Sequence, residues 1–157
     1  MANNYTQFSF TVDVPADQAA WLAAVHEHCN NPPDDDADLA ALEIGYPTAF
    51  GGISQCSTGD LCPSVDVSQD GASVWFHADD CGDVEYTADL MGAMLEAFNS
   101  DAIVSFTWAN TCSAMRVDEF DGGAVVITKE GADYLSPVRW IDAKIAEITA
   151  ARATVAT

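Results

Sequence analysis

Four residues have the types a zinc ion wants. Cys56-x5-Cys62 and His77-x3-Cys81 together offer three thiols and an imidazole, the ligand chemistry of a tetrahedral site. The cysteine gap is loose beside a paired CxxC, and His77 alternates with the core-type residues Val74 and Phe76. The reading is therefore isolated thiols with no metal and no cofactor, and whether the four residues meet stays open. Hard-oxygen ligands are plentiful in ADDCGDVE (residues 78–85) and DDDAD (residues 34–38). Neither run follows the D-x-D-x-D-G loop with a closing Glu that an EF-hand requires.

Nucleophilic chemistry fares no better. Cys112 follows a strand-like run, with His26, His28 and His77 elsewhere, but no GxSxG, papain-like or kinase-like pattern accompanies them. A thiolate nucleophile also needs an electropositive setting, and this chain is the reverse. Paired carboxylates serve glycosidases, yet surface acids here outnumber any dyad, so their abundance carries no information about hydrolysis. No P-loop or dinucleotide fingerprint is present. The expectation is a protein that is not an enzyme.

What remains is the acids themselves. Glu85, Asp89 and Glu96 recur at spacings of four and seven, which places them on one helix face. Asp79, Asp80 and Asp83 precede that helix in a tight turn, giving six carboxylates and no Lys or Arg on one expected ridge. A second run, Asp34, Asp35, Asp36 and Asp38, sits in a Pro-interrupted stretch that reads as an exposed loop.

The elements that must position the ridge follow from periodicity. Residues 5–14 alternate Tyr5, Gln7, Ser9, Thr11 and Asp13 against Thr6, Phe8, Phe10, Val12 and Val14, a half-buried strand. Pro15 ends it, and a helix led by Asp17 runs to about Cys29 with Trp21, Leu22, Val25 and Cys29 as its buried stripe. Residues 30–63 read as an irregular acidic, Gly- and Pro-rich insertion with a short helical turn at 39–44. Residues 64–68 and 72–77 are two strands joined through Gln69-Asp70-Gly71. The ridge helix spans about 84–99 and buries Leu90, Met91, Met94, Leu95 and Phe98. Residues 103–110 form an aromatic, β-branched strand, 111–123 a polar connection, and 124–128 a buried strand. Ser136-Pro137 starts a last helix, with Val138, Ile141, Ile145 and Ile148 as its packed face and a frayed tail over 149–157. Trp75 and Trp108 are assigned to the core. The order implies an α+β fold: a ferredoxin-like βαββαβ sandwich extended by a β-hairpin strand and a C-terminal helix.

Composition sets the frame. The 157 residues suit a single domain with a real core, and 49% hydrophobic content excludes an acidic disordered tail. Against 25 acids stand 5 bases, a net charge of −20. Residues 1–115 hold 18 of the acids and no Lys or Arg, and the first base is Arg116. Direct binding to nucleic acid or to an anionic membrane is excluded by that field, and a basic partner is its complement. The N-terminus lacks a basic, apolar leader and no segment has the length of a membrane span. An odd count of five cysteines fits a reducing cytoplasm.

The opening Phe8-Ser9-Phe10-Thr11-Val12-Asp13-Val14-Pro15 adds to a later pattern. That pattern comprises Ser105-Phe106-Thr107-Trp108-Ala109, Thr111-Cys112-Ser113, Arg116, Glu119-Phe120, Gly122-Gly123-Ala124 and Ile127-Thr128. Together they resemble a group of small, acidic, uncharacterised proteins encoded by phages and mobile elements, over residues from the first strand to Trp140. The resemblance implies a phage-like setting in a bacterial host cytoplasm and carries no catalytic residue. The residues alone read as a β-hairpin whose glycines let the chain turn back into the sheet.

A row of carboxylates on a rigid scaffold can stand in for duplex phosphates and occupy the Lys/Arg channel of a nucleic-acid-binding protein. The expected function is therefore an acidic inhibitor of a basic defence complex, a DNA mimic of the anti-CRISPR or anti-restriction type. Its contacts would come from Asp34, Asp35, Asp36, Asp38, Asp79, Asp80, Asp83, Glu85, Asp89 and Glu96. The alternatives are an acidic or halotolerant accessory protein whose charge serves solubility, and a small metal-binding or thiol enzyme. Oligomeric state stays open.

Overall fold

The computed structural model describes residues 3–30, 63–68, 71–114 and 120–155. The elements are β1 (Asn4–Asp13), α1 (Ala16–Asn30), β2 (Ser64–Val67), β3 (Ser73–Ala78), α2 (Val84–Ala97), β4 (Val104–Cys112), β5 (Asp121–Thr128), β6 (Gly131–Leu135) and α3 (Pro137–Val155). The six strands form one sheet in the order β2-β3-β1-β4-β5-β6, with every neighbouring pair antiparallel. The fold is α+β. Asp34, Asp35, Asp36, Asp38, Cys56, Cys62 and the helical turn expected at 39–44 lie outside the described residues.

The period-two pattern of β1 works as expected. Phe8 is buried and Phe10, Val12 and Val14 pack against the core, while Gln7, Ser9, Thr11 and Asp13 are exposed. β1 serves two neighbours in turn. Asn4–Gln7 pair with β4, and Phe8–Asp13 pair with β3. Where the ladder to β4 has ended, rings take over. Phe76 stacks on Phe10 with centroids 5.2 Å apart, and Phe10 stacks on Phe106 at 4.4 Å.

Helices α1 and α2 lie side by side on this apolar face. From α1, Trp21, Leu22 and Val25 are buried, and from α2 so are Tyr86, Leu90, Met91, Met94 and Leu95. His26, also buried, meets the Tyr86 hydroxyl at 3.0 Å. Its burial holds the imidazole below its ordinary pKa, although Glu27 pulls the other way. Asn99 ends α2 in a left-handed conformation, φ 45°. The Asn99 N–H donates to Glu96 O and the Ser100 N–H to Leu95 O, so the last carbonyls are satisfied.

Several expectations are corrected. The segment 111–123 is not a free connection: β4 continues through Cys112 and β5 already begins at Asp121. Gly122 and Gly123 are not turn residues but lie within β5, opposite Ala109 and Trp108. They are needed for close approach. A Cβ on Gly122 would strike the Trp108 carbonyl, and one on Gly123 would strike the Trp108 ring and come within 2.7 Å of Leu135 O. The strand β6 was not expected. It follows a two-residue turn at Lys129-Glu130 whose φ of 150° falls on Gly131. Trp75 is 44% exposed on the sheet face away from the helices, whereas Trp108 packs partly against the core.

The largest departure is α3. Ser136 caps it, its hydroxyl accepting from the Arg139 N–H at 3.4 Å, and the helix extends to Val155. Yet Val138, Ile141, Ile145 and Ile148 are 43–58% exposed. α1 and α2 already pack on one sheet face, and the opposite face is mixed, with Ser9, Thr11, Ser105 and Thr107 exposed on it beside the exposed Trp75 and Val126.

Candidate functional site

The β3–α2 turn is stapled to β1 by its backbone. Thr6 N–H donates to Asp80 O at 2.7 Å, Gly82 N–H to Thr6 O at 2.8 Å, and Gln7 Nε2 to Asp79 O at 2.7 Å. Gly82 is required, since a Cβ there would collide with the Phe8 ring and Ala78. With the main chain held, the Asp79 and Asp80 residues stand exposed at the edge of the fold. Asp83 then caps α2: its Oδ1 accepts from Tyr86 N–H at 2.9 Å, and Thr87 Oγ1 donates to its carbonyl at 2.7 Å. Glu85 follows, exposed, in the first turn.

Beside this turn lies a cleft of about 300 Å³ lined by Thr6, Gly82, Asp83, Val84, Glu85, Trp108, Asn110 and Tyr134. Thr6 Oγ1 donates to Asn110 Oδ1 at 3.1 Å across its floor. Trp108 and Tyr134 stand edge to face, centroids 6.4 Å apart at 70°. Burial raises the Tyr134 pKa, and the Asp89, Glu85 and Asp83 carboxylates raise it further. Three carboxylates thus act on one phenol at the mouth of an aromatic cleft. The arrangement suits an ammonium or guanidinium group, which gains from carboxylates and aromatic faces together.

The expected six-carboxylate ridge is therefore split. Asp79, Asp80, Asp83, Glu85 and Asp89 gather at the N-terminal end of α2. Glu96 lies seven residues on, about 10 Å along the helix, and its Oε2 is enclosed with no hydrogen-bond partner among the described residues. No Lys or Arg forms an ion pair with any of the six among the described residues. Lys129 pairs with Asp101, Lys144 with Glu147, and His77 with Asp66.

Asp89 shows what that crowding costs. Burial first, then Glu85 and Asp83, push its pKa above the ordinary carboxylate value. A raised carboxylate pKa means the folded state takes up a proton before the unfolded state does as pH falls, so this group's destabilisation is relieved on acidification. Asp89→Asn is expected to stabilise the fold at neutral pH by about 0.2–0.5 kcal/mol, the scale of one like-charge helix pair. The gain should vanish once both carboxyl states are protonated. Thermal melts of both proteins across that pH range check it, and an equal difference at every pH would refute it.

Of the chemistry considered from sequence, His77 Nε2 is engaged by Asp66 Oδ2 at 3.1 Å, and its ring stacks on Trp75 at 3.9 Å. Cys81 Sγ is 3.8 Å from Asp80 Oδ1. No group of three or more His, Cys, Asp or Glu residues suited to a metal occurs among the described residues. Cys112 is only 9% exposed. Trp108 and Tyr134 were missed as site residues. Trp108 reads as core from its strand, and Tyr134 belongs to the strand that periodicity did not reveal. Among the described residues no helix is long and apolar enough to cross a membrane. No family model, curated protein or solved structure matches the chain.

Proposed function

We propose that this chain is a non-enzymatic acidic inhibitor that binds a basic, nucleic-acid-binding protein as a DNA mimic, in the manner of an anti-CRISPR or anti-restriction protein in a bacterial host cytoplasm. One observation carries the reading. Asp79, Asp80, Asp83, Glu85 and Asp89 crowd one end of α2 with no Lys or Arg paired to them among the described residues, and Asp83 and Glu85 line a cleft walled by Trp108 and Tyr134. A fold that tolerates mutual repulsion there, on a backbone stapled in place, presents fixed negative charge to a cationic partner. The cleft adds a place for one Lys or Arg side chain among the carboxylates. The ferredoxin-like reading belongs to the same proposal: the strand order β2-β3-β1-β4 with α1 and α2 on one face supports it.

The test is capture from bacterial lysate at low and moderate salt, with Asp79, Asp80, Glu85 and Asp89 reversed to Lys as control. The expected result is a nucleic-acid-binding protein retained by the native chain, released as salt rises, and displaced by duplex DNA. The reversed variant should bind it about a hundredfold more weakly. Equal retention by both proteins would overturn the reading, as would a captured partner that duplex DNA does not displace.

A further inference from the structure

We infer that the free edge of β6 takes up an extended, basic segment of the partner as an added strand of the sheet. The inference rests on the proposed reading of the acidic end of α2 as the contact for a basic protein, and it names the form in which that protein arrives. The backbone supplies the first argument. Among the described residues β6 is the last strand of the sheet and pairs only with β5. The two-residue turn at Lys129-Glu130 closes on Thr128 and Gly131 as a hydrogen-bonded pair. Such pairs alternate along an antiparallel ladder, so the next are Val126 with Asp133 and Ala124 with Leu135. Leu135 O lies 2.7 Å from where a Cβ on Gly123 would stand, as a carbonyl aimed at β5 must. The N–H and C=O groups of Ala132 and Tyr134 therefore point outward, with no strand beside them among the described residues.

Exposed edges of sheets are usually blunted by a Lys, a Pro or a bulge. β6 has none of these: Gly131-Ala132-Asp133-Tyr134-Leu135 runs in unbroken register with β5. The opposite edge differs, since β2 is only four residues long and starts directly after Pro63.

The surroundings of β6 say what kind of strand fits. On the helix side, Tyr134 stands in the cleft with Asp83 and Glu85, and the Asp89 carboxylate acts on the same phenol. A groove of about 710 Å³ follows the strand, and Val126, Asp133 and Leu135 line it from the opposite side. Side chains of an added strand alternate between the two sides. Those on the helix side meet carboxylates and an aromatic ring, for which Lys or Arg is the complement. Those on the far side meet half-exposed Val126 and Leu135 beside Asp133, which suits a small or long-stemmed residue.

Charge disfavours the two nearest alternatives. A second copy offering its own β6 would set Glu130 and Asp133 against their likeness, on two chains of −20 each. The first 115 residues of this chain hold no Lys or Arg, so no segment among them brings the cation.

The probe is a short, end-blocked peptide of alternating threonine and lysine, titrated into the full chain at low salt with amide exchange followed by NMR. Expected is saturable binding in which the Ala132 and Tyr134 amides, fast in the free chain, become protected. N-methylating the central residues of the peptide removes its main-chain donors and keeps its charge. Binding should then weaken about tenfold or more, the loss of one or two hydrogen bonds. Ala132→Pro blocks the edge and spares the β5 ladder, because that N–H points outward. It should weaken the peptide to a similar extent with unchanged circular dichroism, and if it unfolds the peptide pair decides alone. Reversal of Asp79, Asp80, Glu85 and Asp89 to Lys should abolish binding. Equal affinity of the two peptides, with Ala132 and Tyr134 unprotected, overturns the edge inference and leaves the acidic contact standing. Undiminished binding of the peptide by the reversed chain overturns both, since the cations would then count for nothing. No binding of the unmodified peptide at millimolar concentration overturns the edge inference, and the lysate capture judges the partner reading separately.

Discussion

Replacing Phe76 with alanine is expected to cost about 3–5 kcal/mol of folding stability. Phe76 is fully enclosed on the helix side of β3. Its ring lies against Phe10, 9° from parallel, and Phe10 lies against Phe106 at 3°. The column crosses three strands at the place where it matters. The β1–β4 ladder is confined to Asn4–Gln7, so the rings of Phe10 and Phe106 join the two strands where main-chain bonds have stopped. Removing the end of the column deletes a stacking partner and leaves a cavity that the fixed ladders of β2 and β1 on either side of β3 cannot close. Domains of this kind are stable by only about 5–15 kcal/mol, so the variant should unfold at far lower denaturant. Phe76→Leu, which keeps most of the volume, should cost about 1.5 kcal/mol or less. Urea titrations of the three proteins at neutral pH measure both. A loss under about 1 kcal/mol for the alanine variant would show that the column does not bear on the core.

How much of this was readable in advance depends on whether the signal was local. The inward side of β1 was legible because alternation states which residues share a face, and Phe8, Phe10 and Val12 do pack inward. The same alternation, applied to β3, puts Trp75 opposite Val74 and Phe76. Aromatic character alone assigns it to the core, but Trp75 is 44% exposed. In α2 the helical wheel gave the buried face, but it does not say what flanks a helix. The edge strand β6 lies close to one flank, so Asp89 sinks beside Tyr134 instead of standing in water. The strand itself escaped notice because five residues, mostly exposed, carry almost no periodic signal. In α3 the spacing shows an apolar face that the structure leaves exposed, since spacing records that a face exists and not whose surface meets it.

Glycine is the hardest letter to read. In a turn it supplies a backbone angle, and in a strand it supplies an absence, and the sequence writes both alike. The difference matters for the candidate site, because Trp108, which lines its cleft, has its ring edge where a Cβ on Gly123 would stand.

Gly123→Val is accordingly expected to destabilise the fold by about 3 kcal/mol, at the upper end of overpacking costs. Valine suits a strand, and Gly123 has no left-handed φ to lose, so the penalty isolates steric conflict. The new Cβ would collide with the outer edge of the Trp108 ring and approach Leu135 O at 2.7 Å. Neither neighbour yields easily. Trp108 is held between Phe106 at 6.3 Å and Tyr134 at 6.4 Å, and Leu135 is paired with Ala124 in the β5–β6 ladder. Trp108→Leu in the same chain clears the ring edge but leaves the carbonyl in place. The double variant should therefore recover part of the loss, and the interaction term of the double-mutant cycle should be non-zero. Full additivity would show that the indole does not rest on Gly123. The site should respond as well. If valine lifts the indole from β5, it moves a wall of the cleft at Asp83 and Glu85. Partner binding measured on the folded fraction of Gly123→Val should then weaken even though every carboxylate of the ridge is intact. Undiminished affinity would place the partner contact on the carboxylates alone and take the aromatic wall out of it.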